Sequence, residues 1–206
     1  MAKDNREEIR PYVADMAAVE KHILEALERQ HKDDTFKDFP NALGLVGRLA
    51  GVMKTHGEGL EAHLDTLPGG GVANTVKETV AGVLGGLAGI YDKVRKDKVS
   101  RALRDDYTAL SLAAVSYTML HSTALGLHQG TTADLSLRNL KELTPFLVEL
   151  SQIIPQVVLK ELSFEGYDID VSLAPQAVRA TQEAWSSENT REGAPAGTGL
   201  GRSFPG

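Results

Sequence analysis

The sequence predicts an all-α protein built from long amphipathic helices. Apolar residues recur at intervals of three and four along most of the 206 residues, while alternating runs rich in Val, Ile and Thr, typical of strands, are scarce. Proline and glycine separate the periodic segments, most clearly in the run 67–71, Leu-Pro-Gly-Gly-Gly. Hydrophobic residues make up 42% of the chain and charged residues 24%, close to globular averages, so one folded domain is expected.

The periodicity predicts four long helices and a crossover. The long helices cover about 6–31, 41–67, 99–129 and 132–162, and the glycine-rich segment 72–98 forms a crossover helix between the second and third. Thr132 caps the start of the fourth helix. Pro145 and Pro155 lie inside that helix, where each removes a backbone donor, so two bends or a short break are predicted.

The chain divides into a bundle and two C-terminal segments. Residues 1–165 are expected to form the helical bundle, and 166–187 a short extension in which Trp185 anchors one more helix or turn. Residues 188–206, rich in glycine and poor in apolar side chains, are predicted to be a flexible tail.

Composition excludes several classes of function. The chain has no cysteine, which removes disulfides and thiolate chemistry and leaves only His and carboxylates for a metal site. A net charge of -6 argues against nucleic acid as a partner. The uncharged stretch 107–129 contains too many Ser, Thr and His groups for a membrane span, so a buried helix is expected. The first residues lack a secretory signal, which predicts a cytoplasmic protein.

Four long helices with one long connection between the second and third correspond to the ferritin-like arrangement, in which Glu and His side chains point into the bundle. Glu20 occupies a position that is apolar one turn away on either side, at Met16 and Ile23, so its carboxylate is predicted to face the bundle axis. A buried carboxylate needs a cation, a hydrogen bond from His or Tyr, or a proton.

Four of the six histidines also fall on predicted inward stripes. His56 and His63 lie on the second helix and His121 and His128 on the third, each pair seven residues apart. Two helical turns separate the members of a pair by about 10 Å, so they belong to different layers of the bundle. His128, near the end of its helix, is expected to reach solvent.

These side chains suggest a metal site in the middle layer, with Glu142 or Glu149 contributed by the fourth helix. The predicted ligands are Glu20, His63, His121 and Glu142, with His56 as a reserve ligand. The alternative is that the histidines are core residues hydrogen-bonded to Ser, Tyr or carbonyl groups. A di-iron site of this fold needs Glu-x-x-His on two helices. The chain has one such tetrad, Glu28 to His31, at the end of the first helix, so that constellation is incomplete.

The run 15–24, Asp-Met-Ala-Ala-Val-Glu-Lys-His-Ile-Leu, resembles the Asp-x-x-x-Ala-Glu-Lys-Gln-hydrophobic-Leu signature of the YciE/YciF-type ferritin-like family, bacterial proteins linked to stress responses. Val19 and His22 depart from that signature. His56 matches a family histidine that is followed seven residues later by Gln, where this chain has His63. Segments 140–142 and 154–156 are similar too, and the resemblance covers about residues 9–162.

The resemblance implies a two-metal centre built from carboxylates, with Glu20 and Glu142 as retained ligands. Gly59 stands where the family's second helix usually has Glu, and Thr118 and His121 stand where its third helix has Glu-x-x-Glu. Fewer carboxylates provide less negative charge to hold two divalent cations. A single His-rich ion, or no metal, is therefore expected.

Two functions follow from these observations. The first is a ferritin-like stress-associated protein that binds iron, manganese or zinc in the bundle core; redox activity is undecided and no catalytic residue is assigned. The second is a non-catalytic helical interaction module that has lost the two-metal site and binds no metal. We expect a homodimer in either case. The crossover helix, or Trp185 and the tail, would supply the interface of the second, and the tail is also where another protein partner would bind.

Overall fold

A computed structural model of the chain describes residues 4–69 and 98–184, and this part is helical without strands. Its four long helices are α1 (Asn5–His31), α2 (Pro40–Thr66), α3 (Val99–Gly126) and α4 (Gly130–Phe164). A short helix, α5 (Ala174–Ala184), follows, and 3-10 turns occur at Asp34–Asp38 and Val171–Leu173. The predicted all-α class is confirmed, and the four long helices lie within a few residues of their predicted bounds.

One expectation for α4 is wrong, and one alternative of another is excluded. The helix begins at Gly130 after a turn in which His128 adopts a φ of 58°, so Thr132 lies inside the helix instead of capping it. It continues through Pro145 and Pro155, so of the two predicted outcomes, two bends or a short break, the break is absent. Each proline removes only one hydrogen bond, and packing against both α2 and α3 holds the helix together. The predicted crossover helix 72–98, Trp185 and the tail 188–206 lie almost wholly outside the described residues.

The ends of α1 and α2 follow local rules of helix capping. The Asp4 side chain accepts a hydrogen bond from the backbone N–H of Arg6 at 2.9 Å and caps the start of α1. The C-terminal end of α2 lies beside the first turns of α1, and α2 stops before Pro68. There the nearly buried Arg10 of α1 donates to the carbonyls of Leu64 at 2.8 Å and Leu67 at 3.0 Å. A side chain of α1 thus satisfies carbonyl groups that the end of α2 leaves without partners.

Helix α1 contacts α2 and α3, and α4 contacts the same two helices, so the four form a closed bundle. The first residue of α1, Asn5, donates to the carbonyl of Leu127 just beyond α3 at 3.0 Å. At the opposite end, Gln30 donates to Asp106 near the start of α3 at 2.8 Å. Helices α1 and α3 therefore run antiparallel.

The same reasoning orients the other helices. Arg6, at the start of α1, donates to the carbonyl of Thr66 at the end of α2 at 2.7 Å, so α1 and α2 are antiparallel. Both α2 and α3 thus oppose α1 and run parallel to each other. Helix α2 ends at one end of the bundle and α3 begins at the other, so Gly69 and Lys98 lie at opposite ends.

The first turn of α3 is capped by another helix. Its N-cap residue, Lys98, makes no side-chain cap. Instead, the buried carboxylate of Glu161 on α4 accepts from the backbone N–H of Ser100 at 2.9 Å and from the Ser100 hydroxyl at 2.5 Å. A carboxylate is favourable here because a helix N-terminus carries partial positive charge. This cap fixes the register between α3 and α4.

A continuous apolar core runs along the inside of the bundle, with fully buried side chains from all four long helices. Glu20 and His56 interrupt this core near the middle of α1 and α2, at 0% and 2% exposure. The packing therefore places one polar cluster at the centre of the bundle.

Among the described helices, none combines the length and apolar character needed to cross a membrane.

Candidate functional site

Glu20 is the centre of the polar cluster. Val13, Met16, Ile23 and Leu27 on the same face of α1 are buried in the core, so the helical repeat carries Glu20 inward with them. One oxygen, Oε1, accepts a hydrogen bond from the Tyr117 hydroxyl at 2.7 Å and lies 3.3 Å from His56 Nδ1. The prediction that this carboxylate faces the bundle axis is confirmed, and of the three alternatives expected for it, a hydrogen bond from Tyr is present.

His56 lies between two carboxylates. Its Nδ1 faces Glu20, and its Nε2 lies 3.1 Å from Oε2 of Glu142 on α4. The His56 side chain is 1% exposed, whereas that of Glu142 is 49% exposed, so the network extends from the core to solvent on the α4 side. An ionised carboxylate can only accept, so both ring nitrogens of His56 act as donors when both carboxylates are charged.

Tyr117 and Asn139 complete the network. Tyr117 is fully buried on α3, and its ring packs edge-on against His56 with centroids 6.1 Å apart. Its hydroxyl donates to Glu20 and accepts from the Asn139 side-chain amide at 3.0 Å. All four long helices thus contribute to one hydrogen-bonded cluster, which we call the central network: Glu20, His56, Tyr117, Asn139 and Glu142.

The charges of the central network oppose the effect of burial on His56. Burial is the largest single influence and lowers the pKa of His56, but hydrogen bonds and charge from Glu20 and then Glu142 outweigh it, so the pKa is raised. Burial and the neighbouring Glu20 charge raise the pKa of Tyr117, which stays a neutral donor. With His56 protonated and both carboxylates ionised, the network carries one net negative charge.

The second oxygen of Glu20 differs from the first. Within residues 4–69 and 98–184, Oε2 is buried and has no hydrogen-bond partner. A buried carboxylate oxygen without a donor costs free energy. A water molecule that donates a hydrogen bond, or a cation bound directly to the oxygen, would be favourable at this atom.

The other predicted ligands lie elsewhere. His63 is half-buried two turns along α2, with Nε2 2.7 Å from the Thr132 hydroxyl. Burial, followed by the charge of Arg6, lowers the pKa of His63. His121 donates from Nδ1 to the carbonyl of Ala133 at 2.9 Å. The structure thus brings together Glu20, His56 and Glu142 but places His63 and His121 in contacts typical of core histidines.

Two further expectations can be compared with the structure. Glu149, the alternative ligand on α4, pairs with Arg48 at the surface and takes no part in the central network. His128 is exposed after the end of α3, as predicted.

Two members of the network were not predicted as site residues. Tyr117 belongs to the inward stripe of α3, one turn before His121, so its buried hydroxyl was a signal for a partner near Glu20. Asn139 lies three residues before Glu142, which places both on neighbouring positions of one helix face. In each case the signal was a polar group on an otherwise apolar stripe.

The donor set does not fit a two-metal centre. Such a centre uses one carboxylate from each of two helices and a Glu-x-x-His pair from each of the others, whereas the central network offers two carboxylates and one imidazole. Across the described part of the chain, no group of three or more His, Asp and Glu side chains is arranged to hold a metal ion. The reason is geometric, because the His56 ring separates the two carboxylates instead of converging with them.

Comparisons with known protein families, with curated proteins and with solved structures gave no match to this chain.

Proposed function

We propose that this chain is a ferritin-like, YciE/YciF-like helical bundle that acts as a non-catalytic interaction module. Its centre is a structural polar network in place of a two-metal site. The observation that carries the proposal is the position of His56, whose two ring nitrogens each face a carboxylate. Tyr117 and Asn139 occupy the third and fourth helices at the same level, where neutral side chains contribute no charge to bind cations.

The helix arrangement supports the ferritin-like part of the proposal. Ferritin-like bundles contain one long crossover connection. Here α2 and α3 run parallel, so α2 ends at one end of the bundle and α3 begins at the other, which agrees with a connection of that kind. The resemblance of residues 15–24 to the family signature adds the expectation of a stress-associated, cytoplasmic role. Wild-type and deletion strains compared under osmotic and oxidative stress would test that role.

The second candidate function is binding of a single iron, manganese or zinc ion in the same place. The buried Oε2 of Glu20, which has no partner among the described residues, favours this candidate. Glu20, His56 and Glu142 would hold the ion once the His56 ring had turned from between the two carboxylates, and the negative charge of the network would attract it. When bound, such an ion supplies Lewis-acid or redox chemistry. The chain's own contribution is to bury one carboxylate and to keep the other accessible to solvent.

Elemental analysis separates the two candidates. Protein purified without chelator is analysed for iron, manganese and zinc, and its melting temperature is measured before and after chelator treatment. The non-catalytic module predicts only trace metal and an unchanged melting temperature, because nothing that binds only the folded state is removed. About one metal ion per chain, lost with a fall in melting temperature, would overturn it and establish the second candidate.

Variants assign any metal that is found. Glu142→Gln is the informative change because its half-exposed carboxylate can be neutralised without leaving a cavity. The exposed Glu25→Gln on α1 is the matched control. A metal held by the central network is lost in Glu142→Gln and retained in Glu25→Gln, whereas adventitious metal is the same in both.

A further inference from the structure

The outward side of α3 carries no charge along most of its length. The sequence contains no Asp, Glu, Lys or Arg from residue 107 to residue 129. The exposed positions of this stretch within the helix form what we call the α3 face: Thr108, Leu112, Val115, Thr118, Met119, Ser122, Leu125 and Gly126. Val115, Met119 and Leu125 are 58%, 61% and 57% exposed, so large apolar groups are presented to solvent.

The other three long helices expose charged side chains at intervals of one or two turns. Examples are Lys21, Glu25 and Glu28 on α1, Lys54, Glu58 and Glu61 on α2, and Asp134, Arg138 and Lys141 on α4. The uncharged face is therefore a property of α3 and not of the whole described surface. Depletion of charge and enrichment of Met and other apolar groups are typical of the centre of a protein–protein interface.

The hydroxyl groups of the α3 face are already paired. Thr108, Thr118 and Ser122 each donate to the carbonyl four residues earlier on the same helix, at 3.0, 2.9 and 2.9 Å. These hydrogen bonds remain when water is displaced, so covering the face leaves no unsatisfied donor. The face can therefore be buried against a partner at low desolvation cost.

We propose that the α3 face is the contact surface between two copies of this chain. This inference names the partner of the interaction module proposed above and rests on that proposal. A two-fold interface places one face against an identical face, so any single-sign charge on it would repel its copy. The α3 face meets this requirement, whereas the remainder of a chain of net charge -6 repels a second copy.

Other partners fit the α3 face less well. Nucleic acids and anionic membrane surfaces are bound through Lys and Arg, which the face lacks.

The size of the α3 face limits how strong the contact can be. Residues 108–126 span about 28 Å at about 1.5 Å per residue, and a helix is about 10 Å wide, which gives roughly 300 Å² per copy. Standard interfaces bury about 800 Å² per partner, so the α3 face supplies less than half of that area and a weak, reversible dimer is expected.

Self-association of the full chain tests the proposal. Sedimentation velocity over a concentration series that brackets the micromolar range should show a reversible monomer–dimer equilibrium. Val115→Glu should weaken dimerisation about tenfold or more, because it places a charge in the proposed contact. Val148→Glu is the matched control, since Val148 lies on α4 and is 56% exposed against 58% for Val115. Circular dichroism and melting temperature check that both variants fold.

Two results would overturn this interface. One is a wild-type chain that stays monomeric throughout the series, and the other is an equal effect of the two variants on dimerisation. Neither result bears on the metal analysis, so a monomer without bound metal refutes the α3 interface and leaves the metal-free bundle in place. A chain that binds stoichiometric metal and also dimerises through α3 refutes the proposal of a metal-free centre and leaves the α3 interface in place.

Discussion

Replacing Glu20 by alanine tests the central network most directly. The change removes the acceptor of the Tyr117 hydroxyl at 2.7 Å and the buried charge that faces His56 at 3.3 Å. Removing one partner of a buried charge pair typically costs about 3–5 kcal/mol, and a buried hydroxyl without its acceptor adds about 1–3 kcal/mol. Because His56 keeps Glu142 and can lose its proton, these costs are not additive, and we expect a loss of about 3–5 kcal/mol in total.

The assay is equilibrium unfolding in guanidinium chloride, followed by circular dichroism. The expected result is a lower midpoint with an unchanged slope, since the change alters stability and not the surface exposed on unfolding. The exposed Glu25→Ala on the same helix controls for the loss of a carboxylate and should lie within about 0.5 kcal/mol of wild type. A Glu20→Ala chain within about 1 kcal/mol of wild type would refute the reasoning.

A double-mutant cycle separates the Tyr117 contact from the rest of the cost. Glu20→Ala and Tyr117→Phe, alone and combined, should give a coupling energy of about 1 kcal/mol or more, as is usual for groups in direct contact. Additive effects would mean that the hydrogen bond between these two side chains contributes nothing to stability.

Three further predictions concern the network and the helix ends. Because the pKa of His56 is raised in the folded chain, its proton stabilises the fold below the ordinary value of 6.5, and this stabilisation is lost as the pH rises through the folded-state pKa. The difference in unfolding free energy between wild type and His56→Gln should therefore shrink from pH 6.5 upward, and a constant difference would contradict the raised pKa. Glu161→Gln should cost about 1–2 kcal/mol in denaturant unfolding because the N-terminus of α3 loses its charged cap; the more exposed Glu165→Gln is the control, and equal effects would argue against the cap. Arg10→Met keeps the packing of the side-chain stem but removes two hydrogen bonds to the end of α2. We therefore expect faster hydrogen exchange of the last α2 turn. Unchanged exchange would show that other contacts stabilise this end.

Helix type and extent could be predicted because they depend on neighbours along the chain. The repeat of apolar residues at three and four, with breaks at Pro40 and 67–71, located the four long helices to within a few residues. The same local repeat carried Glu20 inward with Met16 and Ile23. Whether α4 breaks at Pro145 and Pro155 was left open by the sequence, because contacts with neighbouring helices compensate for the lost hydrogen bonds.

The partners of Glu20 could not be chosen from the sequence. The prediction favoured His63 and His121 and kept His56 in reserve, since periodicity places a side chain on a face but not at a height along the bundle axis. Height depends on how far one helix is shifted along another, which packing and caps such as Glu161 on Ser100 determine. The shift found in the structure places His56 beside Glu20, and it places His63, two turns further along α2, beside Thr132.

By itself, the sequence determined that the chain is helical, where its long helices lie and that a carboxylate at position 20 is carried into the core, because each property arises from side chains a few residues apart. Only the tertiary structure decided that one imidazole bridges two carboxylates, that Tyr117 and Asn139 complete the network, and that the uncharged side of α3 faces outward. Those outcomes depend on contacts between residues distant in the chain, and the relative register of packed helices sets them.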